Sequence, residues 1–487
     1  MTQEGELLFT PTAGRLDGSL LADFMRFVRE KGHCAAASYE ELHAWSVTDL
    51  AGFWEALAAW SGVIWRTPAA AAFVAGKGAE GGHFFAGSEL NYVDHVLRHP
   101  PGDPAVVALD EGGNVTELSY GDLAARAGAA ANGLRRLGVQ PGDRVAGVLP
   151  NGVEAVTTFL AAASLGAIWS SCAPEFGAAS MTDRFRQIDP KVLVVADGYA
   201  YGGRDFSLAA KSDELSAGLP GLKAIVEVPV LGGARDADGS RTTWADLVAE
   251  PGELDPLAVT FDHPLWILYS SGTTGLPKPI VQGHGGIVLE HLKAVALHSD
   301  LRPGDRFFWY STTGWMMWNF LVGGLLAGTT IVCYDGSPVF PDQMALWRMA
   351  ADQGVTFFGT SAPFLDACRK AGLSPRHHVD LSRIHSIGST GAPLTPEGFA
   401  WASTEIGDDL LVGSVSGGTD VCTGFLHACP LLPVYAGELQ CAALGCAVEA
   451  FSPEGHRLVG EVGELVITQA MPSMPVGFWG DDDGSRL

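Results

Sequence analysis

The densest chemical signal in the 487-residue sequence is Tyr269-Ser270-Ser271-Gly272-Thr273-Thr274-Gly275-Leu276-Pro277-Lys278, which follows the apolar run 265–268. Gly272 and Gly275 let the backbone turn tightly and aim successive amides at one anion. The hydroxyls of Ser270, Ser271, Thr273 and Thr274 add donors on freely turning rotors, and Lys278 adds a compact positive charge. Residue types in this order suit the phosphates of a nucleotide. The string is not a G-x-x-x-x-G-K-[ST] loop, because the glycines stand too close together and Pro279 follows Lys278.

Three further pieces extend the signal: Gly388-Ser389-Thr390-Gly391-Ala392-Pro393, Ser416-Gly417-Gly418-Thr419-Asp420 and Gly463-Glu464-Leu465. Together with Ser270 to Lys278 they resemble the acyl-adenylate-forming superfamily of acyl-CoA synthetases, luciferases and nonribosomal adenylation domains, over essentially the whole chain. The resemblance implies an α/β fold: a large N-terminal lobe of two helix-covered sheets with a small distorted β-barrel. It implies attack by a carboxylate on the α-phosphate of ATP, giving an acyl-adenylate and pyrophosphate, then displacement of AMP by the thiolate of coenzyme A. Thr273, Lys278 and Thr419 would be catalytic, and Ser270, Ser271, Gly272, Thr274 and Gly275 would hold the terminal phosphates. Gly391, Ala392 and Pro393 would lie against adenine, with Gly418 beside the nucleotide. Asp420 would hold Mg²⁺, a hard cation that takes few protein carboxylates and keeps several waters. Its carboxylate is one methylene shorter than the family's usual glutamate, a reach that a bridging water would make up.

In the acetyl-CoA synthetase branch a tryptophan closes the acyl pocket at the position of Gly417, so the resemblance implies an acid larger than acetate. The leader, the run 170–177 and Ser311-Thr312-Thr313-Gly314-Trp315-Met316-Met317-Trp318-Asn319 resemble the branch that activates a 3-oxo acid, acetoacetate. Trp315 and Trp318 would wall the pocket, and Asn319 or nearby hydroxyls would meet a keto oxygen; aromatic and methionine stripes at helical spacing also serve as plain core. Propionate or butyrate is the near alternative, and a non-catalytic nucleotide-binding remnant the distant one. Arg204, after Gly202-Gly203, resembles the residue that meets the phosphate of coenzyme A. His284 is open between a place beside the substrate and a satisfied buried imidazole, and no base is required because a carboxylate is already ionised at neutral pH.

These motifs need a scaffold, and the surrounding periodicities supply one. Helical spacing over 120–137, 152–165, 286–297, 316–326, 341–353, 362–371 and 396–404 alternates with strands over 144–149, 192–196, 223–228, 306–310, 329–334, 355–358 and 384–388. Alternation of this kind means parallel sheets under helices. The expected parts are an aromatic-rich extension over 1–105, α/β subdomains over 106–265 and 266–430, and a small barrel over 431–487 with strands at 434–439, 447–451 and 463–468.

Composition bounds the partners. With 30 Lys and Arg against 55 Asp and Glu, the net charge of -25 repels nucleic acid and anionic membranes. The longest apolar stretch, 320–333, is shorter than the roughly 20 residues a membrane span needs, and reads as a buried helix running into a strand. Eight cysteines without a C-x2-C pair and an N-terminus without a basic, apolar signal suggest a cytoplasmic address; the oligomeric state is left open. The family's ribose-binding Asp, hinge and C-terminal lobe with its lysine would follow Trp479 and are not within the 487 residues, so the expectation for these residues alone is nucleotide binding with severely impaired adenylation and little or no thioester formation.

Overall fold

The computed structural model describes residues 2–76, 81–233, 235, 237, 239, 241–270 and 275–481. Val192–Ala196 is apolar and buried at every position, as expected of a strand covered on both faces. It pairs in parallel with Ala224–Val228 on one side and Arg144–Val148 on the other. The eight-stranded sheet built around it runs Arg241–Thr243, Ala224–Val228, Val192–Ala196, Arg144–Val148, Ile168–Cys172, Pro264–Ser270, Lys278–Gly283, Gly477–Phe478. Its first six strands are parallel, and each of the last two is antiparallel to its neighbour.

A seven-stranded sheet runs Leu411–Ser414, Ser386–Thr390, Phe357–Ser361, Arg306–Trp309, Thr330–Asp335, Pro104–Asp110, Val115–Ser119, parallel except for its last pair. Helices cross between strands as the periodicity requires. Tyr120–Arg136 is the longest in this region: Ser119 and Asp122 form a capping box at its start, and Arg135 and Arg136 face the negative end of its dipole.

Sheet membership departs from the subdomain limits expected from sequence. Pro104–Asp110 and Val115–Ser119 belong to the second sheet, and Pro264–Ser270 with Lys278–Gly283 completes the first. The expected limit at 265 followed a Gly- and Pro-rich gap, but pairing is set by which apolar edge is left open, and that does not follow chain order. The β-rich segment after 430 distributes its strands. Val434–Tyr435 pairs with Leu7–Phe9, Cys441–Ala442 with Thr423–His427, and Val448–Phe451 with both Arg457–Leu458 and Glu464–Ile467.

The leader is packed against the body. Helices Leu20–Glu30 and Leu50–Ser61 bury Phe24, Phe53, Trp54 and Leu57 in one apolar core with Ile287 and Val295. Tyr39 donates its hydroxyl to the carbonyl of Ala442 at 2.6 Å, and the backbone N–H of Gly445 donates to Ser46 at 2.8 Å. The apolar run 320–333 spans the end of helix Met316–Gly323, a tight turn Gly324–Ala327 and most of strand Thr330–Asp335. Among the described residues no helix is long and apolar enough to cross a membrane.

Helix His284–Leu292 starts two residues before the expected 286 and closes in a wide π turn, Lys293–His298. Covered by the leader, it is buried on all sides, including its charges: Lys293 and Glu290 are fully buried, with Nζ to Oε2 at 2.6 Å, and Nζ stands 5.4 Å from the ring centre of Trp54. Removing one partner strands the other's charge. Lys293→Met is therefore expected to lower unfolding stability by about 3–5 kcal/mol in urea titration, and adding Glu290→Gln should restore most of it. A single variant with unchanged stability would contradict this.

Candidate active site

The phosphate-type string joins two antiparallel strands. Ser270 ends Pro264–Ser270 and stands opposite Lys278, which begins Lys278–Gly283. Both described ends of the string therefore lie together at one end of the eight-stranded sheet, and Gly275 lies exposed just before Lys278. Ser271, Gly272, Thr273 and Thr274 lie outside the described residues. Lys278 is exposed, its Nζ 5.4 Å from the ring centre of Phe478 on the neighbouring edge strand.

The strand leaving the string is tied directly to the Thr419-Asp420 segment through Gln282. This side chain is fully buried. Its Nε2 donates to the carbonyls of Thr419 at 2.8 Å and Asp420 at 3.0 Å, while its Oε1 accepts from Trp266 Nε1 at 2.6 Å. A polar residue directly after the apolar pair Ile280-Val281 is the only sequence sign of it. Gln282→Leu leaves Trp266 Nε1 and two carbonyls unpaired, so it is expected to cost about 2–3 kcal/mol of stability and to raise the KM for ATP-Mg²⁺ severalfold; thermal unfolding and steady-state kinetics check both, and wild-type values in each would contradict it.

Next to this segment opens a cavity of about 480 Å³. It brings together Gly391, Ala392 and Pro393 from the turn after strand Ser386–Thr390, Gly417, Gly418 and Thr419 from the strand Ser416–Gly418 and its end, and Trp315, Met316 and Met317 from the start of helix Met316–Gly323. Gly391 has φ +85° with open space where a Cβ would stand, so it is the backbone turn that calls for glycine there. Trp315, at the helix N-cap, is largely exposed at the mouth.

Gly417 does line the cavity, but the gap there has a backbone cause. A Cβ at Gly417 would collide with the carbonyl oxygen of Thr423 and come within 3.0 Å of Gly424 Cα on the paired strand. Strand pairing therefore enforces glycine at this position, rather than a side chain having been removed from an open wall.

Two expected pocket residues point elsewhere. Trp318 is fully buried, donates from Nε1 to Asn151 Oδ1 at 3.1 Å, and packs with Trp169 and Phe159. It is core, because one helical step from Met317 turns the side chain toward the first sheet. Asn319 is fully buried with no partner among the described residues, and it does not line the cavity. The cavity wall is made instead by Met316, Met317, Phe320 and Trp309, with Thr423 and His427 from strand Thr423–His427. Only the glycine-rich text before 423 hinted at those last two.

His284 does not line the cavity, and its Nε2 has no partner among the described residues. It is fully buried at the start of its helix, accepts from the backbone N–H of Tyr92 at 3.1 Å, and burial pushes its pKa well below the usual value. Arg204 sits at the exposed tip of the hairpin Gly198–Ala200/Asp205–Ser207 and forms no ion pair with a described residue. Glu111 holds that tip by accepting from the N–H groups of Gly202 at 2.8 Å and Gly203 at 2.7 Å.

Asp420 is exposed and its carboxylate has no recorded partner among the described residues. No cluster of three or more His, Cys, Asp or Glu that could hold a metal occurs among them. One exposed hard carboxylate fits a magnesium ion whose other ligands are phosphate oxygens and water, and fits poorly a metal that needs a protein cage.

Similarity to known proteins agrees with this geometry. The AMP-binding enzyme family matches residues 93–475, and the acetyl-coenzyme A synthetase N-terminus family matches residues 39–96. The acetoacetyl-coenzyme A synthetase of Rhizobium meliloti (strain 1021) is 40% identical, over 98% of this chain and 74% of its own length. The acetoacetyl-CoA synthetase of Gallus gallus is 36% identical, over 100% of this chain and 75% of its own. Among solved structures, the acetoacetyl-CoA synthetase from Streptomyces lividans superposes with a TM-score of 0.95 at 48% identity, covering 99% of this chain and 75% of that one.

Proposed function

The chain belongs to the AMP-binding enzyme family and, within it, to the acetoacetyl-CoA synthetases, and from that membership we infer how its residues join acetoacetate to coenzyme A with cleavage of ATP to AMP and pyrophosphate. The observation that carries the assignment of roles is the single cavity shared by Gly391–Pro393 and Gly417–Thr419, tied through Gln282 to the strand that begins at Lys278.

In the first step a carboxylate oxygen of acetoacetate bonds to the α-phosphorus and the bond to pyrophosphate breaks. Thr419, on the cavity wall, would donate to the α-phosphate as charge spreads over its oxygens, and Lys278 with the hydroxyls of Ser270, Ser271, Thr273 and Thr274 would hold the leaving phosphates. A magnesium ion on Asp420 would supply further charge neutralisation there. The Gly391-Ala392-Pro393 turn offers a flat, partly apolar face for adenine. In the second step the thiolate of coenzyme A attacks the acyl carbon and AMP leaves, and Arg204 would pair with a coenzyme A phosphate at the surface. No protein base is required for the first step, and His284 is not in reach of the cavity.

The eight free cysteines, six of them buried, support placing the reaction in a reducing compartment such as the cytoplasm. An acid panel in an AMP-release assay tests the substrate assignment. Acetoacetate is expected to give the highest kcat/KM, with propionate, butyrate and acetate well below it; a preference for acetate would contradict the assignment.

A further inference from the structure

We propose that Thr423 and His427, on the strand closing the inner end of the cavity, select the acid by donating hydrogen bonds to its 3-oxo oxygen. The inference rests on the acetoacetate reading above and assigns the recognition of the keto group to residues that no motif marks.

The cavity runs from an open mouth to a closed end. Trp315 at the mouth is 63% exposed, whereas Thr423 is 1% and His427 3% exposed at the inner end, beside Trp309 and Phe320. Both inner residues carry a polar atom that has no partner among the described residues: Thr423 Oγ1 and His427 Nδ1. Buried polar groups in folded proteins are nearly always paired. Two orphaned groups lining one otherwise apolar pocket end mark where a ligand's polar group is received.

Both side chains are held in place. Thr423 is paired with Gly418 and His427 with Cys441 across the ladder, and the imidazole lies 4.8 Å from the ring of His298. His298 offers His427 no partner, since its Nδ1 bonds the carbonyl of Ala428 at 2.9 Å and its Nε2 accepts from the N–H of Leu444 at 3.1 Å. Gly424 makes room, because a Cβ there would stand 2.7 Å from His427 Cδ2. Burial, with the charge of Lys293, pushes the His427 pKa down to about 3, so the ring is neutral and carries one N–H.

The ligand chemistry follows from the two ends. The carboxylate must lie toward Thr419, where the α-phosphate is met, and a four-carbon acid then carries its third carbon into the inner end. A ketone oxygen only accepts hydrogen bonds, and the Thr423 hydroxyl and a neutral His427 N–H can supply them. Butyrate has the same length and lacks the oxygen, so it leaves both groups unpaired, the situation in which a buried site discriminates far more strongly than by size alone.

The test compares two non-hydrolysable adenylate mimics, acetoacetyl- and butanoyl-sulfamoyladenosine, by isothermal titration calorimetry, with thermal unfolding to confirm folding. The wild-type protein should bind the acetoacetyl compound about 100-fold more tightly, the combined effect of two hydrogen bonds that the butanoyl compound leaves unmade. His427→Phe, which keeps a ring but no polar atom, and Thr423→Val, which keeps the shape, should each reduce that ratio by about tenfold or more, and His427→Asn should recover part of it. A wild-type ratio near one overturns the inference, and so does a ratio that survives Thr423→Val and His427→Phe. Tight, equal binding of both mimics leaves the adenylate reading intact; binding of neither overturns that reading and the inference with it.

Discussion

Asp420→Ala is expected to slow acetoacetate-dependent ATP–pyrophosphate exchange by about 10²–10³-fold, the size of effect seen when one preorganised stabiliser of transition-state charge is removed. The carboxylate is exposed and has no recorded partner among the described residues, while the backbone of the same residue is fixed by Gln282 Nε2. The side chain thus has no structural duty in the fold, and the unfolding temperature should not move. Asp420→Glu keeps a hard oxygen donor with one more methylene and should retain much of the rate. A loss that cannot be reduced by raising Mg²⁺ with Glu, or exchange within threefold of wild type with Ala, would remove Asp420 from the metal's place.

Acid should unfold the protein unusually early. Burial pushes the pKa of His95 and His427 down to about 3 and of His291 and His298 down to about 4, and His284 is also held well below its usual value. Each stays neutral in the folded chain while its unfolded counterpart takes a proton below about pH 6.5. The unfolded state then binds more protons, so stability falls as pH falls from about 6.5 toward 4 and flattens only where the folded imidazoles themselves titrate. Asp335, pushed up to about 7 by burial, and Glu290, raised for the same reason, act in the opposite sense and offset two of the five. The buried imidazoles outnumber these two carboxyls, so unfolding takes up protons on balance near pH 5 and stability falls with pH there. Urea midpoints measured from pH 7 to pH 5 should fall steeply, and a flat midpoint over that interval would contradict the buried neutral set.

The scaffold was largely legible in the sequence because its signals are local. A run such as Val192–Ala196 is a strand in any context that covers it, and the helical spacing over 120–137 announces the helix Tyr120–Arg136. The phosphate-type string stands out for a related reason, since its glycines and hydroxyls sit together in one short run. What could not be read depends on partners far away in the chain. Gln282 matters because Thr419 and Asp420, 137 and 138 residues on, come to rest against it. Trp318 and Trp315 share one aromatic stripe, and only the direction in which helix Met316–Gly323 meets the first sheet decides that one is core and the other lies at the mouth. Lys293 looks like a solvent-facing charge until the leader's Trp54 is placed over it. Gly417 lines the cavity, and the reason for glycine there lies in the neighbouring strand backbone.

The central claim is that a carboxylate of the acid becomes bonded to the α-phosphorus of ATP. Acetoacetate labelled with ¹⁸O in its carboxylate, incubated with ATP, Mg²⁺ and coenzyme A, tests it directly when the nucleotide products are read by mass spectrometry. The account predicts AMP carrying one labelled oxygen, acetoacetyl-CoA keeping the other in its thioester carbonyl, and unlabelled pyrophosphate. Formation of ADP with the label in inorganic phosphate would contradict it.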